Sequence, residues 1–465
     1  MTERLNCRNR PATTALHRAA VQLCPLCAPT VRAISGTHPR RRPGTMSTMT
    51  SLPAGYRTVD VPQSRHRDLL VLDTWAFPST VTEDQLEALP MSLTWDRARG
   101  VETDDGELVA FHGSYPYQQF PVPGARTAVS GLTWVGVHPA HRRRGLLSSM
   151  IDDHFTRSLD RGEAVSALFA AEPAIYGRFG YGLAASDLRM KIPRGAALRD
   201  VPGADGLRVR LERLDPDRHG PLMQAVHGRV DRPGWVTRHG PEQLAAYLSD
   251  PEYWRDGAES LRIAVVSADG TDETALGYAL FRRKDSWQDA GPRGIVNVRE
   301  AVAQNAATAR ALWGVLLDLD LMATVETWLL ALDDPLWFLL VDPRAAQPRI
   351  SDNLWIRLLD VPTALAARRY AAPVDVVLEV TDERLPANAG RWRLVGGADG
   401  AQVTRADASA DLSIDVRELG SAYLGGVSLA ALAGAGLVTE HTPGALRQAA
   451  VAFGWPVLPV CSWIW

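Results

Sequence analysis

The sequence comprises 465 residues, 46% of them hydrophobic and 22% charged, with a formal net charge of −3. A chain of this length is expected to form roughly two to four domains, and its composition is typical of a globular protein with buried cores. Because no apolar run reaches the ~18 residues that a membrane-spanning helix requires, the sequence disfavours an integral membrane protein, and we expect no membrane partner.

The charge is distributed unevenly along the chain. Residues 1–45 contain eight arginines and one glutamate, so the remaining residues are more acidic than the net charge suggests. An acidic body disfavours nucleic acid as the main partner and suits a cationic small molecule, although the same charge could serve solubility alone. Lysine occurs only at Lys191 and Lys284. This preference for arginine, with many Ala, Gly and Pro residues, is typical of a GC-rich genome such as that of an actinobacterium.

Residues 1–48 show neither sustained periodicity nor the core of a signal peptide. Met46 and Met49 closely follow the basic stretch 1–45. We therefore expect either a disordered basic extension or a start codon assigned too far upstream.

The cysteines argue against a metal site and against a disulfide framework. Cys7, Cys24 and Cys27 all lie near the N-terminus, and the Cys24-x-x-Cys27 pair has no second pair at ligand spacing. The fourth cysteine, Cys461, stands alone. We therefore expect no metal, and a reducing, cytoplasmic location.

From Tyr56 onward the sequence has a globular pattern of alternating helices and strands. Thr82 is a helix cap and Pro139 a strand terminator. Thr82 begins the predicted helix over 82–89, and Pro139 ends the predicted strand over 131–139. The hydrophobic spacing predicts further helices over 64–75 and 146–162 and further strands over 107–120 and 164–170. The last strand–helix–strand succession forms a βαβ-type unit.

Two further units are predicted after residue 195. The first has strand-like segments at 207–215, 261–267 and 274–283, then a strand–helix pair over 294–320. The joining sequence of that pair, REAVAQNA, contains no glycine, and we interpret the unit as a degenerate duplicate. A shorter α+β unit follows, with strands at 376–380, 391–395 and 410–416 and apolar helices at 421–426 and 428–437.

The stretch VGVHPAHRRRGLLSSM (135–150) places three arginines and a glycine between a strand and a helix. Backbone N–H groups at a helix N-terminus, aided by the helix dipole, form an anion site. Gly145 lets the backbone approach a diphosphate closely, and arginine side chains add positive charge. A solvated basic turn is the alternative, but the flanking strand and amphipathic helix favour a pyrophosphate loop.

Arg142-x-x-Gly145 after such a strand resembles the acetyl-CoA loop of the GCN5-related N-acetyltransferases, whose pattern is Q/R-x-x-G-x-G/A. The last position is here Leu147, a departure shared by the Eis-type (enhanced intracellular survival) branch of actinobacteria. The chain also resembles that branch in GLTWVGVHPAHRRRGLL, EPAIYGRFGYG, NLWIRLLDVPTALAARRY and LGSAYLGG. The resemblance covers roughly residues 55–465.

This resemblance implies a mixed α/β (α+β) fold with two tandem acetyltransferase-like domains and a sterol-carrier-protein-like domain. We assign the catalytic acetyltransferase domain to 49–195, the degenerate acetyltransferase-like domain to 196–348 and the sterol-carrier-protein-like domain to 349–465. The resemblance also implies acetyl-CoA as the co-substrate, an amine-bearing small molecule as the acceptor, and a homohexamer.

The cofactor contacts follow from the same resemblance. Val135, Gly136 and Val137 would run beside the pantetheine, and Ala171 and Glu172 occupy further cofactor positions. The loop and the first helical turn would supply the remaining contacts, from Arg142, Arg143, Arg144, Gly145, Leu146, Leu147 and Ser148.

Moving acetyl from a thioester to an amine requires a base, an oxyanion site and an acid. Tyr176 or Tyr181 could protonate the leaving thiolate, and the resemblance selects Tyr176. Tyr181 and Phe179 better suit the packing of a glycine-rich turn.

The terminus FGWPVLPVCSWIW is apolar, unlike most frayed chain ends, which suggests that the last residues are buried. A partly desolvated carboxylate has a raised pKa and can accept a proton. Hydrophobic anchoring is the alternative reading, and the resemblance assigns the role of base to the C-terminal carboxylate, here that of Trp465.

We expect the acceptor to contact Trp75, Phe77, Ser79 and Tyr117, whose aromatic members could bind cations. Ser79 and Ile464 stand where the resemblance leads us to expect acids, which weakens the expectation of a highly charged aminoglycoside.

The leading hypothesis is an acetyl-CoA-dependent N-acetyltransferase that acts by direct attack of a primary amine from an aminoglycoside-like compound or a polyamine. Asp73, Glu83 and Asp84 could replace the missing acids, although solvated helix charges are more common. A protein lysine or a peptide antibiotic is the alternative acceptor. A non-catalytic protein that binds acetyl-CoA or lipid is the alternative class.

Overall fold

The computed structural model describes residues 51–465, so the predictions for residues 1–48 and their cysteines lie outside the described residues. The first elements in chain order are β1 (Tyr56–Asp60), α1 (His66–Ala76), α2 (Glu83–Glu87), β2 (Arg99–Thr103), β3 (Leu108–Val122), β4 (Ala125–Val137), α3 (Leu146–Asp160), β5 (Val165–Leu168), α4 (Pro173–Tyr176), β6 (Gly182–Leu183) and β7 (Ser186–Pro193).

The middle of the chain contains β8 (Arg208–Arg213), α5 (Pro216–His227), α6 (Gly240–Leu248), β9 (Arg262–Ser267), β10 (Ala275–Lys284), β11 (Trp287–Gln288), β12 (Gly291–Pro292), β13 (Gly294–Ala303), α7 (Ala306–Leu317), β14 (Met322–Leu330), α8 (Pro335–Leu339) and β15 (Arg349–Asp352). The last elements are β16 (Trp355–Leu358), α9 (Val361–Ala366), β17 (Val374–Thr381), β18 (Gly390–Gly397), β19 (Gly400–Arg405), β20 (Leu412–Asp415), α10 (Val416–Ala422), α11 (Leu429–Gly434), β21 (Val438–Glu440) and α12 (Ala445–Phe453).

The first sheet has the strand order β1-β2-β3-β4-β5-β16-β6. Its centre is the predicted strand–loop–helix–strand unit, which is confirmed: α3 connects β4 to β5, and these two strands pair in parallel. Leu146, Met150, Ile151 and Phe155 are buried along one face of α3, as their spacing predicted.

The second sheet repeats this arrangement, with the order β15-β7-β14-β13-β10-β9-β8. Here α7 connects the parallel strands β13 and β14. The third sheet has the order β19-β18-β17-β20-β21 and forms a smaller α+β unit. The predicted fold class, two acetyltransferase-like units followed by an α+β unit, therefore agrees with the structure.

The first two sheets exchange strands, so neither of the assigned boundaries at 195 and 348 separates them. β7 falls within the segment 49–195, yet it pairs with β14 and β15 of the second sheet. β16 falls within the segment 349–465, yet it inserts between β5 and β6 of the first sheet. Short apolar strands give no sequence signal for the sheet that they join, because pairing depends on distant residues.

The IYGRFGYG segment lies where the third unit packs on the first sheet. A Cβ atom at Gly182 would overlap the carbonyl oxygen of Arg417 in α10, so only glycine allows this close approach. Gly180 has a φ of +81° and lies against Arg357, a fully buried guanidinium. Both carboxylate oxygens of Asp382 accept hydrogen bonds from Arg357 Nη2, at 2.8 and 2.7 Å.

Within residues 51–465, no helix combines the length and the apolar character needed to cross a bilayer. Across the same residues, His, Cys, Asp and Glu side chains form no group of three or more suited to a metal ion.

Candidate active site

A cleft opens in the first sheet where β4 and β5 diverge. The two strands pair only over 129–131 and 165–167, whereas β4 continues to Val137, about 20 Å further at ~3.3 Å per residue. Trp134 has a φ of +55°, and the β3–β4 register shifts beside it, which marks a β-bulge. The resulting cleft has a volume of about 570 Å³.

Most of the predicted cofactor residues line this cleft: Val135, Gly136, Val137, Arg142, Arg143, Gly145, Leu146, Leu147, Ser148, Ala171 and Glu172. Arg144 is the exception. Its Nη1 donates a hydrogen bond to the Tyr56 hydroxyl at 2.8 Å, and its guanidinium lies 5.9 Å from the centroid of that ring. Arg144 therefore ties the loop to β1 instead of lining the cleft.

The loop before α3 leaves the helix N-terminus open. Gly145, the N-cap residue, has a φ of +82°, and no side chain caps the helix. Arg143 also has a positive φ, of +62°. The first N–H groups of a helix have no intrahelical acceptor. Uncapped amides and the guanidinium groups of Arg142 and Arg143 thus lie at one end of the cleft, which is an arrangement that binds anions.

The corresponding junction in the second sheet is closed. Asn305 caps α7: its Oδ1 accepts hydrogen bonds from the backbone N–H of Thr308 at 2.9 Å and from the hydroxyl of Thr308 at 3.0 Å. The side chain of Asn305 thus occupies the place that an anion would take at an open helix terminus. The glycine-free REAVAQNA segment accordingly lacks a phosphate loop.

Tyr176 and Tyr181 have different surroundings, although their rings are 5.9 Å apart. Tyr176 ends α4, is 8% exposed and lines the cleft. Tyr181 is fully buried, and its hydroxyl is 2.8 Å from the Ser166 hydroxyl. Burial raises the pKa of Tyr181 well above its usual value. Tyr181 therefore packs under the turn, in the role that the sequence favoured for it.

The end of the chain reaches the cleft at its opposite end. Ile464 and Trp465 line the cleft, and the Trp465 ring packs edge-on against Phe169, with centroids 4.8 Å apart. The indole Nε1 of Trp465 is buried and has no hydrogen-bond partner in the described part of the chain. The expectation that an apolar terminus is buried thus agrees with the fold, since Trp465 is only 6% exposed.

Of the four residues predicted to contact the acceptor, only Phe77 is part of the cleft lining that the structure describes. Trp75 is 59% exposed, and its ring is tilted against that of His138, with centroids 5.1 Å apart, outside the cleft. Ser79 accepts a hydrogen bond from the backbone N–H of Val81 within a turn. Tyr117 is buried behind Trp465, and its hydroxyl accepts a hydrogen bond from Gln243 at 3.1 Å.

Residues of the second sheet form a wall of the cleft that sequence reasoning missed. Trp328 of β14 is oriented by a hydrogen bond from its Nε1 to the carbonyl oxygen of Arg299, at 2.9 Å. The guanidinium of Arg189 from β7 lies 5.9 Å from the Trp328 ring. Asp352 and Asn353 complete this wall. No local pattern could have revealed it, because β7, β14 and β15 are neighbours only in the folded sheet.

Arg384 of the third unit also escaped the sequence analysis. Its Nη2 donates a hydrogen bond to the carbonyl oxygen of Ser148 at 2.7 Å, and its Nε lies 2.8 Å from Asp152 Oδ1. The same guanidinium lies 4.8 Å from the centroid of the Phe179 ring. Arg384 therefore holds the first turns of α3, which bound the loop end of the cleft, against the IYGRFGYG turn.

Comparisons with known proteins match each of the three units. Two family models, both described as an acetyltransferase (GNAT) domain, match residues 59–184 and 234–358. A sterol carrier protein domain model matches residues 361–462.

The chain is 42% identical to an uncharacterized N-acetyltransferase of Streptomyces coelicolor, over 81% of this chain and 91% of the relative. It is 36% identical to the N-acetyltransferase Eis of Mycobacterium tuberculosis, over 75% of this chain and 84% of the relative. The crystal structure of Eis1 from Mycobacterium abscessus superposes with a TM-score of 0.71 at 32% identity, and covers 88% of this chain and 100% of that chain.

Proposed function

The chain belongs to the Eis-type GCN5-related N-acetyltransferases, and from this membership we propose that it transfers acetyl from acetyl-CoA directly to a primary amine of an aminoglycoside-like compound or a polyamine. One observation carries the proposal. A single cleft is bounded by the open N-terminus of α3, by Tyr176 and by Trp465, so an anion site and two groups capable of proton transfer share one cavity.

The loop end of the cleft suits the diphosphate of acetyl-CoA. Uncapped N–H groups at the start of α3, with Arg142 and Arg143, would bind the phosphate oxygens through charge-assisted hydrogen bonds. From there the pantetheine would run along β4 in the gap left by β5, beside Val135 and Val137, whose backbone groups on that side have no partner strand. The ~20 Å between Gly131 and Val137 matches an extended chain that ends near Trp465.

The chemistry requires three proton transfers, two from the substrate nitrogen and one to the departing sulfur. The carboxylate of Trp465 would accept a proton from the substrate ammonium, and the free amine would then attack the thioester carbonyl carbon. The backbone N–H of Val135 would stabilise the oxygen that gains negative charge. As the C–S bond breaks, the Tyr176 hydroxyl would protonate the departing sulfur. As the tetrahedral intermediate collapses, the nitrogen loses its second proton to solvent, from which the tyrosinate is reprotonated. The products are an amide and free CoA, and Trp465 releases its proton to solvent, so that one proton is released per turnover.

A lysine side chain is a second candidate acceptor, and the charges of the cleft favour it over a highly charged aminoglycoside. Ser79 and Ile464 bring no negative charge, whereas the guanidinium groups of Arg178 and Arg189 line the cleft together with Glu172 and Asp352. Because these opposite charges offset one another, the lining attracts a polycation less strongly than an acidic lining would, and a single ammonium group needs less compensating negative charge.

The experiment uses a protein that starts at Met49 and follows thiol release from acetyl-CoA across a panel of aminoglycosides, spermidine and lysine peptides. One variant carries a short peptide after Trp465, and the matched control carries the same peptide before Met49. We expect turnover with the control and loss of turnover with the C-terminal peptide, while both bind acetyl-CoA. Full activity of the C-terminally extended protein would overturn the assignment of Trp465. Absence of turnover on every amine, with acetyl-CoA still bound, would favour the non-catalytic binding protein.

A further inference from the structure

A buried polar cluster of the second unit, which we name the tail socket, holds the last residues of the chain. It consists of Glu300, Arg238, Tyr278 and His227. Ser462, three residues before the end, donates a hydrogen bond to Glu300 Oε1 at 2.7 Å. His227 Nε2 lies 3.0 Å from the same Ser462 hydroxyl. Burial lowers the pKa of His227 to about 3, so the neutral ring can donate to Ser462 at physiological pH.

Glu300 is the centre of the tail socket. Its Oε1 also accepts a hydrogen bond from Arg238 Nη2 at 2.8 Å, and its Oε2 accepts one from the Tyr278 hydroxyl at 2.8 Å. Glu300 is only 2% exposed and Arg238 only 3% exposed. Burial alone would raise the pKa of Glu300, but the positive charge of Arg238 and the hydrogen bonds that the carboxylate accepts from Ser462 and Arg238 contribute to a net lowering. Glu300 is therefore an ionised acceptor with fixed geometry.

The tail is fixed on both sides of Ser462. The backbone N–H of Cys461 donates to Asn353 Oδ1 at 2.8 Å, and Asn353 Nδ2 donates back to the Cys461 carbonyl at 3.1 Å. Trp463 Nε1 donates to the carbonyl oxygen of Val236 at 2.8 Å. The guanidinium of Arg238 lies 5.1 Å from the Trp463 ring. Because Cys461, Ser462 and Trp463 are all held by hydrogen bonds, Trp465 has little conformational freedom.

The position of Glu300 in the second sheet relates the Ser462–Glu300 hydrogen bond to the cleft of the first sheet. Glu300 lies on β13, the strand that corresponds to β4, beyond the 294–297 stretch that pairs with β14. In the first sheet, the same stretch of the corresponding strand borders the cleft. The strand that borders the cofactor cleft in one unit thus holds the chain terminus in the other.

We propose that Ser462 is a positioning residue which, through its hydrogen bonds to Glu300 and His227 of the tail socket, fixes the tail so that the carboxylate of Trp465 stays at the acceptor end of the cleft. The inference rests on the proposed function, in which that carboxylate is the base. Hydrophobic anchoring of the tail would not require the socket, since burying an ion pair costs free energy that apolar side chains of similar size would not. Hydrogen bonds are directional and apolar contacts are not, so the hydrogen bonds of the socket fix a single direction and register for the last residues.

The test compares Ser462→Ala with Ser421→Ala, a matched control. Both serines lie in the last unit and both are largely buried, 4% and 8% exposed. Among residues 51–465, the Ser421 hydroxyl donates to the Arg417 carbonyl within α10, at 3.3 Å, and not to the tail. We expect Ser462→Ala to lower kcat about tenfold, with the KM for acetyl-CoA unchanged and with a change in Tm no larger than that of the control. Ser462→Thr, which keeps the hydroxyl, should recover most of kcat.

Ser462→Cys has nearly the same size and a weaker hydrogen-bonding group, so it gives the same comparison if Ser462→Ala does not fold. The positioning role would be overturned if Ser462→Ala had the same kcat as the control Ser421→Ala. The same holds for Ser462→Cys where it is used in place of Ser462→Ala. One glycine added after Trp465 separates the two proposals. If that protein is inactive while Ser462→Ala is fully active, only the positioning role fails. If it is fully active, the base assignment fails and the positioning role fails with it.

Discussion

The indole ring of Trp465 lies edge-on against the phenol ring of Tyr117, with ring centroids 5.0 Å apart. Both rings lie over Gly131, the last residue of β4 that pairs with β5. A Cβ atom at position 131 would overlap the Tyr117 ring and lie 3.3 Å from Trp465 Nε1. The position of the terminal residue therefore depends on a glycine at the point where the cleft begins.

Gly131→Ala is expected to displace Trp465 and to lower kcat about tenfold or more, because proton transfer depends on distances of ~3 Å. The KM for acetyl-CoA should change little, since the phosphate loop lies at the other end of β4. Steady-state kinetics on the Met49 protein measure both constants. Gly434→Ala, where nothing lies within 4 Å of the new Cβ, is the control. A variant at position 131 with reduced Tm and normal kcat would contradict this prediction.

Arg143→Ala is expected to raise the KM for acetyl-CoA about tenfold or more, because one charge-assisted hydrogen bond contributes about 1.5–3 kcal/mol. The effect should shrink at high salt, where phosphate contacts are screened. Arg144→Ala should have a smaller effect, since Arg144 is bonded to Tyr56. Binding of acetyl-CoA by calorimetry at two salt concentrations gives the comparison. Equal losses for both variants would place Arg144 at the cofactor as well.

Gly182→Ala should destabilise the protein without changing any group in the cleft. The new Cβ would overlap the Arg417 carbonyl, and a steric insertion of this kind into a packed interface costs about 1–3 kcal/mol. Thermal unfolding should show a Tm several degrees lower than that of Gly434→Ala. An unchanged Tm would show that α10 and the first sheet separate easily, and would weaken the packing role assigned to the IYGRFGYG segment.

Asp73 in α1 makes a pH-dependent contribution to stability. Burial raises its pKa to about 7 in the folded protein, whereas in the unfolded chain it titrates near ~3.9. Folding therefore becomes less favourable as pH rises from about 4 to about 7, and the full penalty remains above that range. Asp73→Asn removes the ionisation, so its Tm should exceed that of the wild type at pH 8. The difference should disappear below pH ~4, and a difference that is constant across pH would contradict the assignment.

Local sequence patterns predicted the elements that depend on neighbouring residues. The strand over 131–139, the helix over 146–162 and the open glycine loop between them were foreseen from periodicity and from Gly145, because hydrogen bonding and burial at these positions follow from residues a few places away. The buried terminus was also foreseen, from its apolar composition.

What the sequence did not reveal depends on contacts between distant segments. Asn353 binds Cys461 across 108 positions, and neither residue has an unusual local context. Tyr117 was expected to line an aromatic pocket for the acceptor, but β3 and β4 bury it behind Trp465. The exchange of β7 and β16 between the sheets was missed for the same reason, since a short apolar strand can pair with either sheet.

The two tyrosines of the IYGRFGYG segment offer the sharpest test of the proposed chemistry, because the same substitution should have opposite consequences. Tyr176→Phe removes the hydroxyl that would protonate the departing sulfur. General acid catalysis contributes about 100-fold or more, so kcat should fall by about that factor while Tm stays nearly constant. Thiol release at saturating acetyl-CoA measures the rate.

Tyr181→Phe removes a buried hydroxyl that lies 2.8 Å from the Ser166 hydroxyl. Ser166 loses that partner but keeps His154 Nε2 at 2.8 Å and the Ser130 carbonyl oxygen at 3.2 Å. Losing one such hydrogen bond costs about 1 kcal/mol, so Tm should fall by a few degrees while kcat changes less than threefold, a change that costs only about 0.6 kcal/mol in activation free energy. If Tyr181→Phe abolished turnover and Tyr176→Phe did not, the acid would have to be reassigned to Tyr181, with the Ser166–His154 pair as its route for reprotonation.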